Sequence, residues 1–205
     1  MSSSKLHTPE DLRAALAALE NALGNHGKYA LVGGSACAVL GSRRATQDID
    51  FVVLRGQTSV ARQLLRGSPN FEVQGRTNYT WYKAAEPVEI EILAPPALFQ
   101  ETFDETTEVI TIGKLKVLKP ALLLNAKCGS LNNRATEAKK GTDVQDITFL
   151  LGYCARNPAY LPKASEVAKA TKEFVEAFIR TYGSQDLWIK AGYNLQIGLL
   201  YLIRV

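Results

Sequence analysis

Two short segments decide the fold: Leu31-Val32-Gly33-Gly34-Ser35-Ala36 and Arg44-Ala45-Thr46-Gln47-Asp48-Ile49-Asp50-Phe51-Val52. The first ends an apolar strand over 29–32 in a glycine turn, and a short helix over 36–40, stopped by Gly41, follows it. The second opens a strand over 48–54 whose two acids precede its apolar run. Strand residues two apart point the same way, roughly 6.5–7 Å apart. Asp48 and Asp50 are therefore same-side carboxylates at the start of a core strand. Two such groups repel unless a cation lies between them or one is protonated. Oxygen donors of this kind suit Mg²⁺, which takes one or two carboxylates and keeps positions for water and phosphate. The connector between the strands is short, so they are expected to run antiparallel, with Gly33, Gly34 and Ser35 close to the two acids. Glycine allows close backbone approach, and the start of a helix offers N–H groups to phosphate.

Working outward, Thr8-Pro9-Glu10-Asp11 reads as a helix start. Leu12, Leu16, Leu19 and Leu23 follow at helical spacing, and Gly24 and Gly27 close the element. A helix is expected over 58–66. Alternation over 77–83, a turn over 84–87 and alternation over 88–93 predict a hairpin. Its second strand sets Glu89 and Glu91 on the face opposite Val88, Ile90 and Ile92. Two short strands flank Gly113. From Lys119 the texture becomes helical, with helices expected over 120–131, 142–155, 164–182 and 186–203. The chain thus divides into an α/β part, 1–118, and a helical part, 119–205.

The 205 residues are 46% hydrophobic and 21% charged, which excludes disordered and low-complexity classes. The net charge of +4 is unevenly placed. Residues 1–118 hold 12 basic and 13 acidic side chains, and residues 119–205 hold 12 and 7, so the parts carry −1 and +5. Cys37, Cys128 and Cys154 form no C-x-x-C pair and read as reduced thiols, which fits a cytoplasmic setting. His7 and His26 are the only histidines, so a His-ligated metal or a Ser-His-Asp triad is very hard to build. The first five residues lack the apolar core of a signal peptide. Residues 187–205 are interrupted by Lys190, Asn194 and Gln196, so no membrane span is expected; that segment suits burial or a homodimer through the C-terminal helices.

Each element of the constellation alone fits a plain structural role: a wet strand edge, a turn, a surface ladder of charges. In this order they resemble the nucleotidyltransferase superfamily, which has a DNA polymerase β-like fold. Arg44-x-Thr46-x-Asp48-Ile-Asp50 is similar more specifically to small AbiEii-type and stand-alone minimal nucleotidyltransferases. Val117-Leu118-Lys119-Pro120, Lys127, Arg134, Lys140 and Asp143-x-x-Asp146 agree with the helical region of that group, so the resemblance covers about 28–152. It implies a mixed sheet flanked by helices, then a C-terminal helical region. It also implies transfer of a nucleoside monophosphate from a nucleoside triphosphate, with ATP expected, to a hydroxyl of a small molecule or RNA, releasing pyrophosphate. Asp48, Asp50 and a third carboxylate would hold Mg²⁺ or Mn²⁺. Glu91, followed by Ile92 and Leu93, is the expected third, although Asp is commoner there and Glu89 shares its face. Gly33, Gly34, Ser35, Arg44 and Thr46 would hold the nucleotide. Lys127, Arg134 and Lys140 would face its phosphates, oriented by Asp143 and Asp146. Tyr79 and Trp81 share a strand face and suit packing or stacking on a base.

Other readings fit less well. The glycine spacing is not G-x-G-x-x-G, and neither Gly27-Lys28 nor Gly113-Lys114 completes a P-loop. No basic reading helix for DNA stands out. The rival from another class is a non-catalytic binding protein of the same fold, and the third carboxylate separates the two.

Overall fold

The computed structural model describes residues 7–24 and 27–200. His26, the first five residues and the end of the last expected helix lie outside them. The chain splits into two compact units, one up to Leu118 and one from Lys119.

The first unit opens with α1 (Pro9–Leu23), where the Thr8 hydroxyl accepts from the Asp11 amide. Then come β1 (Tyr29–Val32), α2 (Gly33–Val39), β2 (Asp48–Val53) and α3 (Thr58–Gly67). The strands β3 (Phe71–Val73), β4 (Thr80–Tyr82), β5 (Val88–Leu93), β6 (Val109–Ile112) and β7 (Leu115–Leu118) complete it. All seven strands form one mixed sheet in the order β3-β4-β5-β2-β1-β7-β6. As expected, β1 and β2 are antiparallel, with Val32 opposite Asp50. The chain between β2 and β5 is long enough for a crossover, and these two strands run parallel. Every residue of β1 is buried, which marks the middle of the sheet. Tyr29 and Phe51 meet edge-on at 6.3 Å within the core.

Two features of this unit differ from expectation. α2 begins at Gly33 rather than Ala36. β3 was not foreseen, because three residues are too few to display a period.

The second unit contains α4 (Pro120–Asn133), α5 (Glu137–Arg156), a single 3₁₀ turn (Pro158–Tyr160), α6 (Lys172–Tyr182) and α7 (Gln185–Lys190). α5 starts earlier than 142. Thr136 caps it, and Gly141 is absorbed at a cost of about 1 kcal/mol relative to Ala. The helix expected from 164 starts only after the Thr171 cap. Residues 163–167 are instead held as a turn by Glu166, which accepts from the Lys163 amide and pairs with Lys119 at 2.6 Å.

The helix expected over 186–203 is overturned. α7 ends at Lys190, where Gly192 takes φ +94°, a conformation that stops a helix. A hairpin of β8 (Tyr193–Asn194) and β9 (Leu199–Leu200) follows. Asn194 turns it by accepting from the amides of Gln196 and Ile197. No described helix is long and apolar enough to cross a membrane. All three cysteines are buried and none forms a disulfide. Burial pushes the Cys154 thiol up to about 12.

Trp188 anchors the end of this unit, fully buried among Phe174, Phe178 and Tyr193 with edge-on ring contacts of 5.8–6.4 Å. Trp188→Ala is expected to cost about 3–5 kcal/mol, read as a lower urea midpoint by circular dichroism.

Candidate functional site

The site in the first unit is built by strand register. Asp50 is opposite Val32 on one side and Glu91 on the other, and Asp48 is opposite Glu89. Directly opposed residues share a sheet face. One carboxylate oxygen from each of Asp48, Asp50 and Glu91 therefore lies within 4.8 Å of the others. Asp48 and Asp50 are half-buried and Glu91 is exposed. Three hard oxygen donors at this spacing fit a divalent cation, which would relieve their mutual repulsion.

Neighbouring residues fix these acids. Gly33 has φ +63°, and a Cβ there would collide with the Asp50 carboxylate. A Cβ on Gly34 would meet the Arg44 guanidinium and would come within 2.7 Å of the Thr46 hydroxyl. The two glycines thus make room for Asp50 on one side and for Arg44 and Thr46 on the other. Arg44 donates to the Ala45 carbonyl at 2.7 Å.

Ser35 and Thr46 are built into the frame around the two acids. Ser35 is fully buried, donates to the Val32 carbonyl at 3.0 Å and accepts from the Asp50 amide at 3.2 Å. It clasps β1 to β2. Thr46 is buried too, and its hydroxyl lies 3.3 Å from both the carbonyl and the carboxylate of Asp48. Each side chain positions an acid.

Glu89, expected as an alternative metal ligand, stands outside the carboxylate group. It interacts with Tyr79 instead. The Tyr79 phenol is pushed up by burial first, then by the Glu89 charge and its hydrogen bond to Glu89.

In the second unit Lys127 reaches Asp143 at 3.0 Å and Asp146 at 2.8 Å. Arg134 reaches Asp143 at 2.6 Å. Both carboxylates are fully buried. Burial alone would raise Asp143, but the Arg134 hydrogen bond and the Lys127 charge outweigh it and hold the carboxyl below its ordinary value. Lys140 pairs with Glu137 at 2.7 Å rather than with Asp143. Asp146 belongs to this cluster as fully as Asp143 does, and its signal in the sequence was the i, i+3 spacing between them.

No protein-family model and no curated protein matches the sequence. Solved structures do match. A crystal structure of an antigenic nucleotidyltransferase-like protein from Paracoccidioides brasiliensis superposes with a TM-score of 0.67 at 22% identity, covering 91% of this chain and 94% of that one. The fold is nucleotidyltransferase-like. A candidate nucleotidyltransferase from Helicobacter pylori aligns with a TM-score of 0.58 at 15% identity, over 97% of this chain and 89% of that one. JHP933 from Helicobacter pylori aligns with a TM-score of 0.56 at 16% identity, over 91% and 89%. At these identities the likeness concerns the fold.

Gly33→Ala combines a positive φ with a collision at Asp50. It should cost at least about 1–2 kcal/mol in urea unfolding. Lys127→Met takes one counter-charge from two buried carboxylates, for an expected loss of about 3–5 kcal/mol at neutral pH. Because the folded pKa of Asp143 is depressed, its contribution is present above the ordinary carboxylate pKa and is lost as pH falls through the folded value. Unfolding curves of variant and wild type should therefore differ most near neutrality and converge below about pH 4.

Proposed function

We propose that this chain is a metal-dependent nucleotidyltransferase. It moves a nucleoside monophosphate from a nucleoside triphosphate, ATP in our reading, to a hydroxyl of a small molecule or RNA, and pyrophosphate leaves. The observation that carries this reading is the convergence of Asp48, Asp50 and Glu91 beside the Gly33-Gly34 turn. Those three residues would hold Mg²⁺ or Mn²⁺. When bound, such an ion neutralises charge on phosphoryl oxygens and orients them.

The remaining work falls to the chain. Arg44, held beside the Gly33-Gly34 turn, adds positive charge for a triphosphate. Ser35 and Thr46 keep Asp50 and Asp48 in orientation through the contacts described above. The acceptor oxygen bonds to the α-phosphorus as the bond to the β-phosphate oxygen breaks, and pyrophosphate takes the electron pair. The exposed Glu91 carboxylate is placed to receive the acceptor proton. For Lys127, Arg134 and Lys140 the proposed role is phosphate contact, with Asp143 and Asp146 orienting them, supported by motif alone. The Arg44-to-Asp50 motif supports an AbiEii-type or stand-alone minimal enzyme, acting in the cytoplasm. Glu91, standing with Asp48 and Asp50, favours an enzyme over a binding protein of the same fold.

The test is incubation with each labelled nucleoside triphosphate, Mg²⁺ and a cell extract as the source of acceptors. Pyrophosphate release is expected, with Asp50→Asn lowering it by about 10²–10³-fold. No release with any nucleotide, or an Asp50→Asn variant as active as wild type, would refute the reading.

A further inference from the structure

Away from the three acids, the first unit holds a groove of about 660 Å³ between α1, the end of α2 and the 42–46 loop. That volume lies within the ~300–1,000 Å³ of sites that enclose small molecules. One wall is a single stripe of α1. Pro9, Leu12, Leu16, Ala17 and Glu20 line it at helical spacing, over about 16 Å. Ala38, Val39 and Leu115 stand on the other side. Leu12, Ala38, Val39 and Leu115 are half-buried, so the groove keeps apolar surface that the fold leaves partly uncovered. Among the described residues no Phe, Tyr or Trp lines it.

The two ends of the groove differ in charge. Glu20 pairs with Lys114 at 3.7 Å, beside Leu115 at the start of β7. β7 runs parallel to β1 with Leu31 opposite Val117, so this end lies level with the start of β1. The other end is basic. Arg44 lies against Gly34, and Thr46 against Asp48, beyond the end of β1. Only five residues, 24–28, join α1 to β1, so the first turn of α1 and His7 before it also lie toward this end. Arg43 is exposed and makes no ion pair or hydrogen bond among the described residues. The His7 Nδ1 is enclosed and has no partner among them either. Arg13 is already paired with Glu10 at 2.6 Å.

We propose that this groove binds a free, unbranched acyl carboxylate. Its chain lies along the α1 stripe and its carboxylate meets Arg43, Arg44 and His7. A flexible methylene chain fills a long aliphatic groove, and burial of each methylene contributes to binding. A ring-bearing ligand would find no ring to stack on. The guanidinium groups donate charge-assisted hydrogen bonds to a carboxylate, whereas Glu20 repels one, so the charges set the direction in which the chain enters. The site stands whether or not the chain transfers nucleotides.

Calorimetric titration of the full chain, with every amphiphile kept below its micellar range, tests the groove. The probes are octanoate, decanoate, laurate and dodecyltrimethylammonium. Laurate is expected to bind, and each pair of methylenes from octanoate upward should tighten binding about tenfold. Arg43→Gln should weaken laurate about threefold or more. The cationic amphiphile should bind at least about tenfold more weakly than laurate. Ala17→Trp, at an exposed position on the groove wall, should abolish binding, whereas Ala14→Trp, exposed on α1 outside the groove, should leave it unchanged. Circular dichroism verifies the folding of all three variants. Absence of laurate binding, equal binding of the cationic amphiphile, or indifference to Ala17→Trp would overturn the inference. So would a dimer, seen by sedimentation and lost in Ala17→Trp, in a chain that takes up no laurate, since the groove would then belong to a second copy.

Discussion

The site depends on the double registration of β2. This strand is pinned antiparallel to β1 at Val32–Asp50 and parallel to β5 at Asp50–Glu91. Side chains alternate along a strand, so a slip of one residue on either side would send the acids to the apolar face. Alternation of buried Ile49 and Phe51 with half-buried Asp48 and Asp50 penalises that slip, because it would bury charge and expose the core. The Ser35 hydroxyl adds a second lock, bonded to the last residue of β1 and to the amide of Asp50. The hydroxyl is thus tied to the backbone that aims a carboxylate.

The two units gather acids differently. In the first, one carboxylate oxygen from each of three acids lies within 4.8 Å of the others. In the second, Asp143 and Asp146 are surrounded by Lys127 and Arg134, so the charge is balanced within the fold. Lys119–Glu166 and Lys140–Glu137 are settled in the same way. Four of the twelve basic residues of 119–205 are paired in this way with four of its seven acids, and the other eight bases against three acids keep the +5.

Much of the fold was legible because its signals are local. The Thr8 cap, the glycine turn after β1, the Asp-x-Asp strand and the alternation of the 80–93 hairpin each rest on a few adjacent residues. β3 escaped notice because its three residues gain their strand identity from pairing with β4. Residues 186–203 carry apolar side chains at spacings a helix accepts. Gly192 and Gly198, at φ +94° and +71°, and the closure of Tyr193 against Trp188 decide otherwise. At Gly198 a Cβ would come within 2.9 Å of three Lys172 side-chain carbons, a contact between segments that no periodicity encodes.

The sequence by itself determined that carboxylates, not His or Cys, are the candidate metal ligands, that two of them share a face of a core strand, and that a glycine turn lies beside them. Those properties follow from residue type and from the two-residue period of a strand. The resemblance favoured Glu91 over Glu89 as the third acid, and only the tertiary structure brought its carboxylate together with those of Asp48 and Asp50. Both sit on one face of β5, and what separates them is register: Glu91 opposes Asp50, while Glu89 opposes Asp48 and Trp81 and is engaged by Tyr79. Register is fixed by pairing between distant segments, so a choice between two residues with the same local pattern was made by their neighbours across the sheet.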